Sequence, residues 1–370
     1  MKICHLTSVH PPSDTRIVHK ECASQLHSGH EVTLVYLGMQ IEDDNGLQYV
    51  VAGTKPKSRW MRLTIGIWRV FFAALHQKAD IYHFHDPELL LVGIVLHYMG
   101  YKVIFDVHED LPYQIKTKEY LPKIVCAILG RFIHIYERLA GYYLDGIITV
   151  AESIEKRYKA RKSICIFNYP KLSELSTDNI SWYKREQAFA YIGGITVQRN
   201  IFGMMDATKR KNFNLYFAGH YESEFLKQEI KEKYLSKYEN IHDLGFLRRE
   251  ELSEVLQKVC GGLCVLQPTP QYLLHTVRST KLYEYMMAGI PVIVSDFPNV
   301  RDFVKKAQCG ICVNPLDAEA IGDAMQWLLD NPRKAEKMGN NGRNYIVNYC
   351  NWEQEAKKLD AFYQKIMLDK

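Results

Sequence analysis

Short apolar runs alternate with helical periodicity along almost the whole chain. Runs at 2–7, 31–37, 81–84, 102–106, 146–150 and 163–166 have the length and apolar content of buried strands. Asn168-Tyr169-Pro170 and a polar stretch to Arg185 follow and read as a linker. The alternation restarts at 188–192, 215–218, 241–244, 262–266, 291–295 and 310–313. Strands that alternate with helices build parallel sheets covered on both faces. Two such series predict two Rossmann-like α/β domains, 1–170 and 171–345, with ligands at the carboxyl ends of their strands. Residues 346–370 are expected to be helical, and 352–363 carries an amphipathic stripe.

Composition excludes several classes. A chain of 370 residues, 47% hydrophobic and 24% charged, fits a globular protein of two domains. No apolar run approaches the roughly 18 residues that span a bilayer. The opening Lys2-Ile3-Cys4-His5-Leu6 reads as a strand, not a secretory leader, and nine cysteines without framework spacing suit reduced thiols in the cytoplasm. The net charge of +5 is modest and no basic-aromatic nucleic-acid motif is present. Local clusters say more. Lys55, Lys57, Arg59, Arg62 and Arg69 surround Trp60, Met61, Leu63, Ile65, Ile67, Trp68, Val70, Phe71 and Phe72. A second basic stretch, 116–138, carries Ile124, Val125, Ile128, Leu129, Phe132 and Ile133. Such segments suit either an anionic membrane surface or a core helix whose cations face solvent.

The richest chemistry lies in Arg278-Ser279-Thr280-Lys281-Leu282-Tyr283-Glu284. Ser279 and Thr280 open a helix, whose free amides and positive dipole end favour an anion such as a pyrophosphate. Lys281 and Glu284 share a face one turn in. A lysine there can meet phosphate, and a carboxylate can accept hydrogen bonds from the paired hydroxyls of a ribose. Gly289-Ile290-Pro291 stops the helix before the strand at Val292-Ile293-Val294.

This unit resembles the donor-binding helix of the family 4 retaining glycosyltransferases. Tyr191-Ile192-Gly193-Gly194 through Arg199-Asn200 is similar to the turn that opens the family's donor domain. Gly194 stands where the family has an arginine, and Arg199 where it has a lysine, so the phosphate charge falls to Arg199, Lys281 and Arg278. Thr276 stands where the family carries a hexose-binding glutamate, leaving sugar recognition to Thr276, His275 or backbone. In the first half, His108 in Phe105-Asp106-Val107-His108-Glu109-Asp110 corresponds to the histidine on the family's acceptor side. Glu109 and Asp110 are placed to orient it or bind acceptor hydroxyls, and His85 lies on the neighbouring strand end. The segment from His10 to Ile17 resembles a subgroup in which Asp14 and Arg16 replace a Gly-Gly loop. Asp14 also reads as an N-cap, and Arg16 as a partner for a diphosphate or an acidic loop.

The resemblance implies the GT-B arrangement, two Rossmann-like domains facing across a cleft, with the C-terminal helix returning to the N-terminal domain. It implies a retaining hexosyltransferase that moves a sugar from a nucleoside diphosphate, UDP in preference, to an acceptor hydroxyl. The expected catalytic residues are His108, Arg199, Lys281 and Glu284. Gly193, Gly194, Thr276, Arg278, Ser279 and Thr280 complete the donor site, and Asp14, Arg16, His85, Glu109 and Asp110 the acceptor site. Neither metal nor cofactor is expected. A lipid-linked saccharide acceptor in cell-surface polysaccharide synthesis would place the enzyme peripherally on the inner face of the cell membrane. Two other readings stay open. A nucleotide-sugar epimerase of the same fold would keep the donor helix, and a metal-dependent hydrolase would use His83, His85, Asp86 and His108. Cys309 and Cys312 flank one short apolar strand without a second pair and read as buried structural residues.

Overall fold

The computed structural model describes residues 1–41, 45–108, 110–116, 122–158, 162–173, 180–209, 211–275 and 279–368. The chain divides into two compact units, Met1–Asn168 with Trp352–Lys370, and Tyr169–Asn351. The first holds one parallel sheet of seven strands: β1 (Lys2–Leu6), β2 (Glu31–Leu37), β3 (Gln48–Gly53), β4 (Ile81–Phe84), β5 (Lys102–Val107), β6 (Gly146–Thr149) and β7 (Ser163–Cys165). Their order is β3-β2-β1-β4-β5-β6-β7. The chain steps outward from β1 to β3, then crosses back to lay β4 on the other side of β1. At such a reversal the connections leave in opposite directions, and a crevice opens at the carboxyl ends of the two strands. β3 is not among the expected strands, although Tyr49-Val50-Val51-Ala52 is an apolar run. It is a half-buried edge strand, so little burial marks it.

Side chains alternate across this sheet with period two. Cys4, Leu6, Tyr82, Phe84, Val103 and Phe105 pack in one core. Ile3, Ile81, Ile104 and Ile148 pack in another, against Trp352, Leu359, Phe362, Tyr363 and Ile366 of the helix Trp352–Leu368. Burying one such side chain contributes roughly 1.5–3 kcal/mol, so this helix is part of the first unit's core. Ile346 and Cys350 bury with the second unit instead. Residues 346–351, expected with the C-terminal helix, therefore end the preceding helix, Pro332–Tyr349, and its cap.

The second unit holds β8 (Glu186–Ile192), β9 (Asn214–Ala218), β10 (Ile241–Asp243), β11 (Val259–Cys264), β12 (Val292–Ser295) and β13 (Gly310–Val313). The order β10-β9-β8-β11-β12-β13 places the reversal between β8 and β11. All its strand pairs are parallel, and helices cover both faces in two aromatic-rich cores. Cys309 is buried beside β13 and Cys312 half-buried on it, both as free thiols. Among the described residues no helix is long and apolar enough to cross a membrane.

Candidate active site

In the second unit the chain leaves β8 through Gly193 and Gly194, at the reversal point. Gly193 has φ +144°, and a Cβ there would lie 2.3 Å from Cε of Lys281. A Cβ on Gly194 would lie 2.8 Å from Nη1 of Arg199. The missing side chains let two cations rest on the turn's backbone. Lys281 Nζ donates to the Tyr191 hydroxyl at 3.2 Å and sits 4.6 Å from the centre of that ring. The Tyr191 hydroxyl in turn donates to Gly194 O at 2.6 Å.

Lys281 belongs to the helix Thr280–Met287, opened by Ser279. Burial, reinforced by the charge of Arg199, lowers its ammonium pKa to about 8. Among the described residues no carboxylate forms a salt bridge with Lys281 or Arg199, although the charge of Glu284 is felt at Lys281. One turn on, Glu284 accepts from Arg249 Nη1 at 2.7 Å. Arg249 was not among the expected site residues. It lies on a surface helix, Arg249–Lys258, where nothing in the local pattern marks it.

In the first unit the corresponding strand ends are acidic and histidine-rich. Asp86 Oδ2 accepts from the hydroxyl of Thr7 at 2.7 Å, the amide of Ser8 at 2.6 Å and the amide of Val9 at 3.1 Å. Asp14 accepts from the amides of Arg16 and Ile17, both at 2.9 Å, and its other oxygen lies 3.1 Å from Nδ1 of His10. Burial alone would raise the Asp14 pKa, but His10 and the Ile17 amide hold it well below the carboxylate range. His108 Nε2 lies 2.9 Å from Asp106 Oδ2 and 3.0 Å from His85 Nδ1. Burial would also raise Asp106, yet the Arg16 guanidinium and then His108 keep it ionised.

Two expected acceptor residues are committed elsewhere. The Arg16 guanidinium is buried, holds both oxygens of Asp106 at 3.2 Å and donates to Ile166 O at 3.1 Å. It is an internal counter-ion, because its helix turns it beneath the strand ends. Asp110 pairs with Arg157 at 2.9 Å, and Arg157 also grips Glu137. His85 is buried, which leaves Asp14 and His108, joined by His10, at the accessible rim. The hydrolase set does not assemble either: Asp86 is spent on the β1 turn, while His5 and Glu21 lie with His83 and His85. Thr276, Arg278 and Glu109 lie outside the described residues.

The helical segment 59–75 buries Ile67, Val70, Phe71 and Ala74 and exposes Trp60, Met61, Ile65, Trp68 and Phe72. Its far face thus mixes these apolar side chains with the exposed Arg59 and Arg69. Arg62 is bidentate on Glu88, at 2.7 and 3.2 Å, and Lys55 donates to Val9 O at 2.6 Å. Lys57 and Arg59 remain exposed. The helix Lys123–Tyr143 exposes Ile124, Ile128, Phe132, Ile135, Leu139 and Tyr142.

Comparison with known proteins bears on both sites. Residues 15–165 match the family described as Glycosyltransferase Family 4, and residues 174–345 that described as Glycosyl transferases group 1. The chain is 23% identical over 280 residues to the D-rhamnosyltransferase WbpZ of Pseudomonas aeruginosa, spanning 73% of this chain and 69% of that protein. Its fold matches sucrose-phosphate synthase from Thermosynechococcus elongatus with a TM-score of 0.77 at 16% identity, over 100% of both chains. It matches Anabaena Alr3699/HepE in complex with UDP and glucose with a TM-score of 0.70 at 12% identity, over 99% of this chain and 100% of that one. These matches favour neither the epimerase nor the hydrolase. With two parallel α/β units, a glycine turn bearing two cations and a match in each half, the chain belongs to the family 4 glycosyltransferases of GT-B fold.

Proposed function

We propose that this glycosyltransferase moves a hexose, with retention at the anomeric carbon, from a nucleoside diphosphate sugar to a hydroxyl of a lipid-linked saccharide. The observation that carries the reading is the pair Lys281 and Arg199, held on the Gly193-Gly194 turn with no carboxylate salt bridge among the described residues. A diphosphate supplies the missing negative charge, and it becomes more negative as the sugar leaves. Cations preorganised at that point stabilise the transition state more than the ground state. The amides at Ser279 and Thr280 add to this, so the donor site works without a metal. Glu284, steadied by Arg249, accepts from the ribose hydroxyls. His108, aimed by Asp106, orients the acceptor hydroxyl, and the departing phosphate takes its proton. The UDP bound in the Anabaena structure supports a UDP-linked donor.

The exposed face of 59–75 supports docking at the inner face of the cell membrane, where cell-surface polysaccharide is assembled. With Arg62 and Lys55 engaged locally, apolar insertion contributes more of this affinity than charge does. The test combines the full-length protein, a panel of nucleoside diphosphate hexoses and a polyprenyl-diphosphate saccharide, with the product's anomeric configuration read by NMR. An α-linked donor should give an α-linked product at a rate insensitive to added Mg²⁺ or Mn²⁺. An inverted product would overturn the retaining reading, and a rate that rises with those ions would overturn the metal-free donor site. Sedimentation with anionic vesicles should fall in the pair Trp60→Ser and Trp68→Ser; equal sedimentation would remove the docking face.

A further inference from the structure

A polar cluster lies buried inside the first unit, behind His108 and Asp106. On the sheet face that carries Ile3, Ile81 and Ile104, the next inward positions are His5, His83 and Asp106, and His85 follows His83. His5 and His83 are directly paired across β1 and β4. Glu21 closes the group from Ile17–Cys22, a stretch wound as a wide π-helix in which the Glu21 amide reaches Arg16 O at 2.9 Å. His5, Glu21 and His83 are fully buried and His85 nearly so, and one ligand atom from each lies within 4.8 Å of the others.

The partners of these groups follow a pattern. His5 Nε2 is 2.8 Å from Gln25 Oε1, His83 Nδ1 is 2.7 Å from the Tyr363 hydroxyl, and His85 Nδ1 faces His108 at 3.0 Å and Asp106 at 3.5 Å. Each ring thus has one nitrogen held from outside the cluster. The other nitrogens have no such partner: His5 Nδ1 meets only His85 Nε2, at 2.8 Å, and His83 Nε2 has none among the described residues. Neither Glu21 oxygen receives an aligned hydrogen bond. Arg16 Nε lies 2.9 Å from one of them, but its N–H is directed at Asp106. Imidazoles oriented through their outer nitrogens, with inner nitrogens and a carboxylate converging, are what a tetrahedral zinc ion requires.

We propose that His5, His83, His85 and Glu21 bind one Zn²⁺ ion that locks β1, β4 and the helix 17–27 together. The cluster is enclosed, so the ion is structural and stands apart from the metal-free donor site. The alternative is a proton: Glu21, pushed up by burial and then by the Asp106 charge, would be a neutral acid donating to Asp106.

The test uses untagged full-length protein purified without chelator, with metal measured by mass spectrometry. About one zinc ion per chain should survive dialysis, and stripping it should lower Tm, with recovery on adding Zn²⁺. Stripped protein loaded with Co²⁺ should develop the strong visible absorption of a tetrahedral N₃O site. His83→Gln and Glu21→Gln should each lose the metal. Should those variants fail to fold, the wild-type cobalt spectrum decides alone. Folded wild-type protein that takes up neither ion, with Tm indifferent to Zn²⁺, would establish the proton in its place, and metal retained by both folded variants would move the site elsewhere.

Discussion

The two sheets reverse their strand order in the same way and treat charge at the reversal in opposite ways. In the first unit the strand ends carry acids and histidines, and nearly every one is answered from within: Arg16 by Asp106, Asp110 by Arg157, Glu88 by Arg62, Asp86 by the β1 turn. In the second unit two cations share one glycine turn with no carboxylate in salt-bridge contact among the described residues, and Lys281 is held at a cost that its lowered pKa records. Internal compensation marks groups that hold a shape. Uncompensated like charge, kept close by glycines, marks groups that await a ligand.

The harshest break of that contrast is Arg16→Met. Removing one partner of a buried ion pair typically costs about 3–5 kcal/mol, and the urea midpoint should fall accordingly while nucleotide affinity in the second unit is kept. A midpoint near that of the wild type would mean Arg16 is not the counter-ion of the first unit.

Lys281→Met should do the reverse. Turnover should drop roughly 10²–10³-fold, as for loss of an oxyanion donor, yet the free protein should become more stable. A folded pKa of about 8 against the ordinary 10.5 corresponds to up to roughly 3 kcal/mol at neutral pH. The unfolded chain binds the extra proton between those two values. Wild-type stability should therefore rise with pH from about 8 to 10.5, with the full cost present below, and the variant should lack that rise. Parallel pH profiles for the two proteins would argue that the ammonium is not buried. Glu284→Ala should weaken nucleotide-sugar binding by roughly ten- to a hundredfold, the worth of a charged hydrogen bond of about 1.5–3 kcal/mol. Calorimetry with unchanged affinity would remove Glu284 from the donor site. The mildest change is Arg249→Ala. Its partly exposed pair with Glu284 is worth about 0–1 kcal/mol, so Tm should barely move while donor affinity shifts by no more than a few-fold. A loss as large as that of Glu284→Ala would make Arg249 a direct ligand.

Much of this was legible in the chain, for identifiable reasons. Buried parallel strands are short apolar runs, and twelve of the thirteen lie within a few residues of such a run; β3, the half-buried edge strand, is also apolar at 49–52 but follows a polar stretch and is not singled out by the pattern. Lys281 and Glu284 could be paired because they sit one helical turn apart. Arg249 could not, since its partner lies 35 positions away and long-range pairing leaves no periodic trace. Asp14 follows β1 and His108 directly follows β5, positions that the strand pattern marks. Arg16 looked available because an arginine in a first helical turn is locally disfavoured. What takes it up, Asp106, is 90 positions off. Glu21 carries no local mark either, because only the fold brings it to His5, His83 and His85.

The first unit is built from two separated stretches of chain, with residues 169–351 between them. The ribosome therefore completes seven strands and the whole second unit before the helix Trp352–Leu368 emerges to cover Ile3, Ile81, Ile104 and Ile148. Until then the part of that face not covered by the helical segment 17–27 waits bare, adhesive to other nascent chains and open to chaperones. Yield in the cell should thus depend on elongation and chaperone supply more steeply than equilibrium stability suggests. A message cut short after the second unit would leave a folded donor half tethered to an aggregation-prone one.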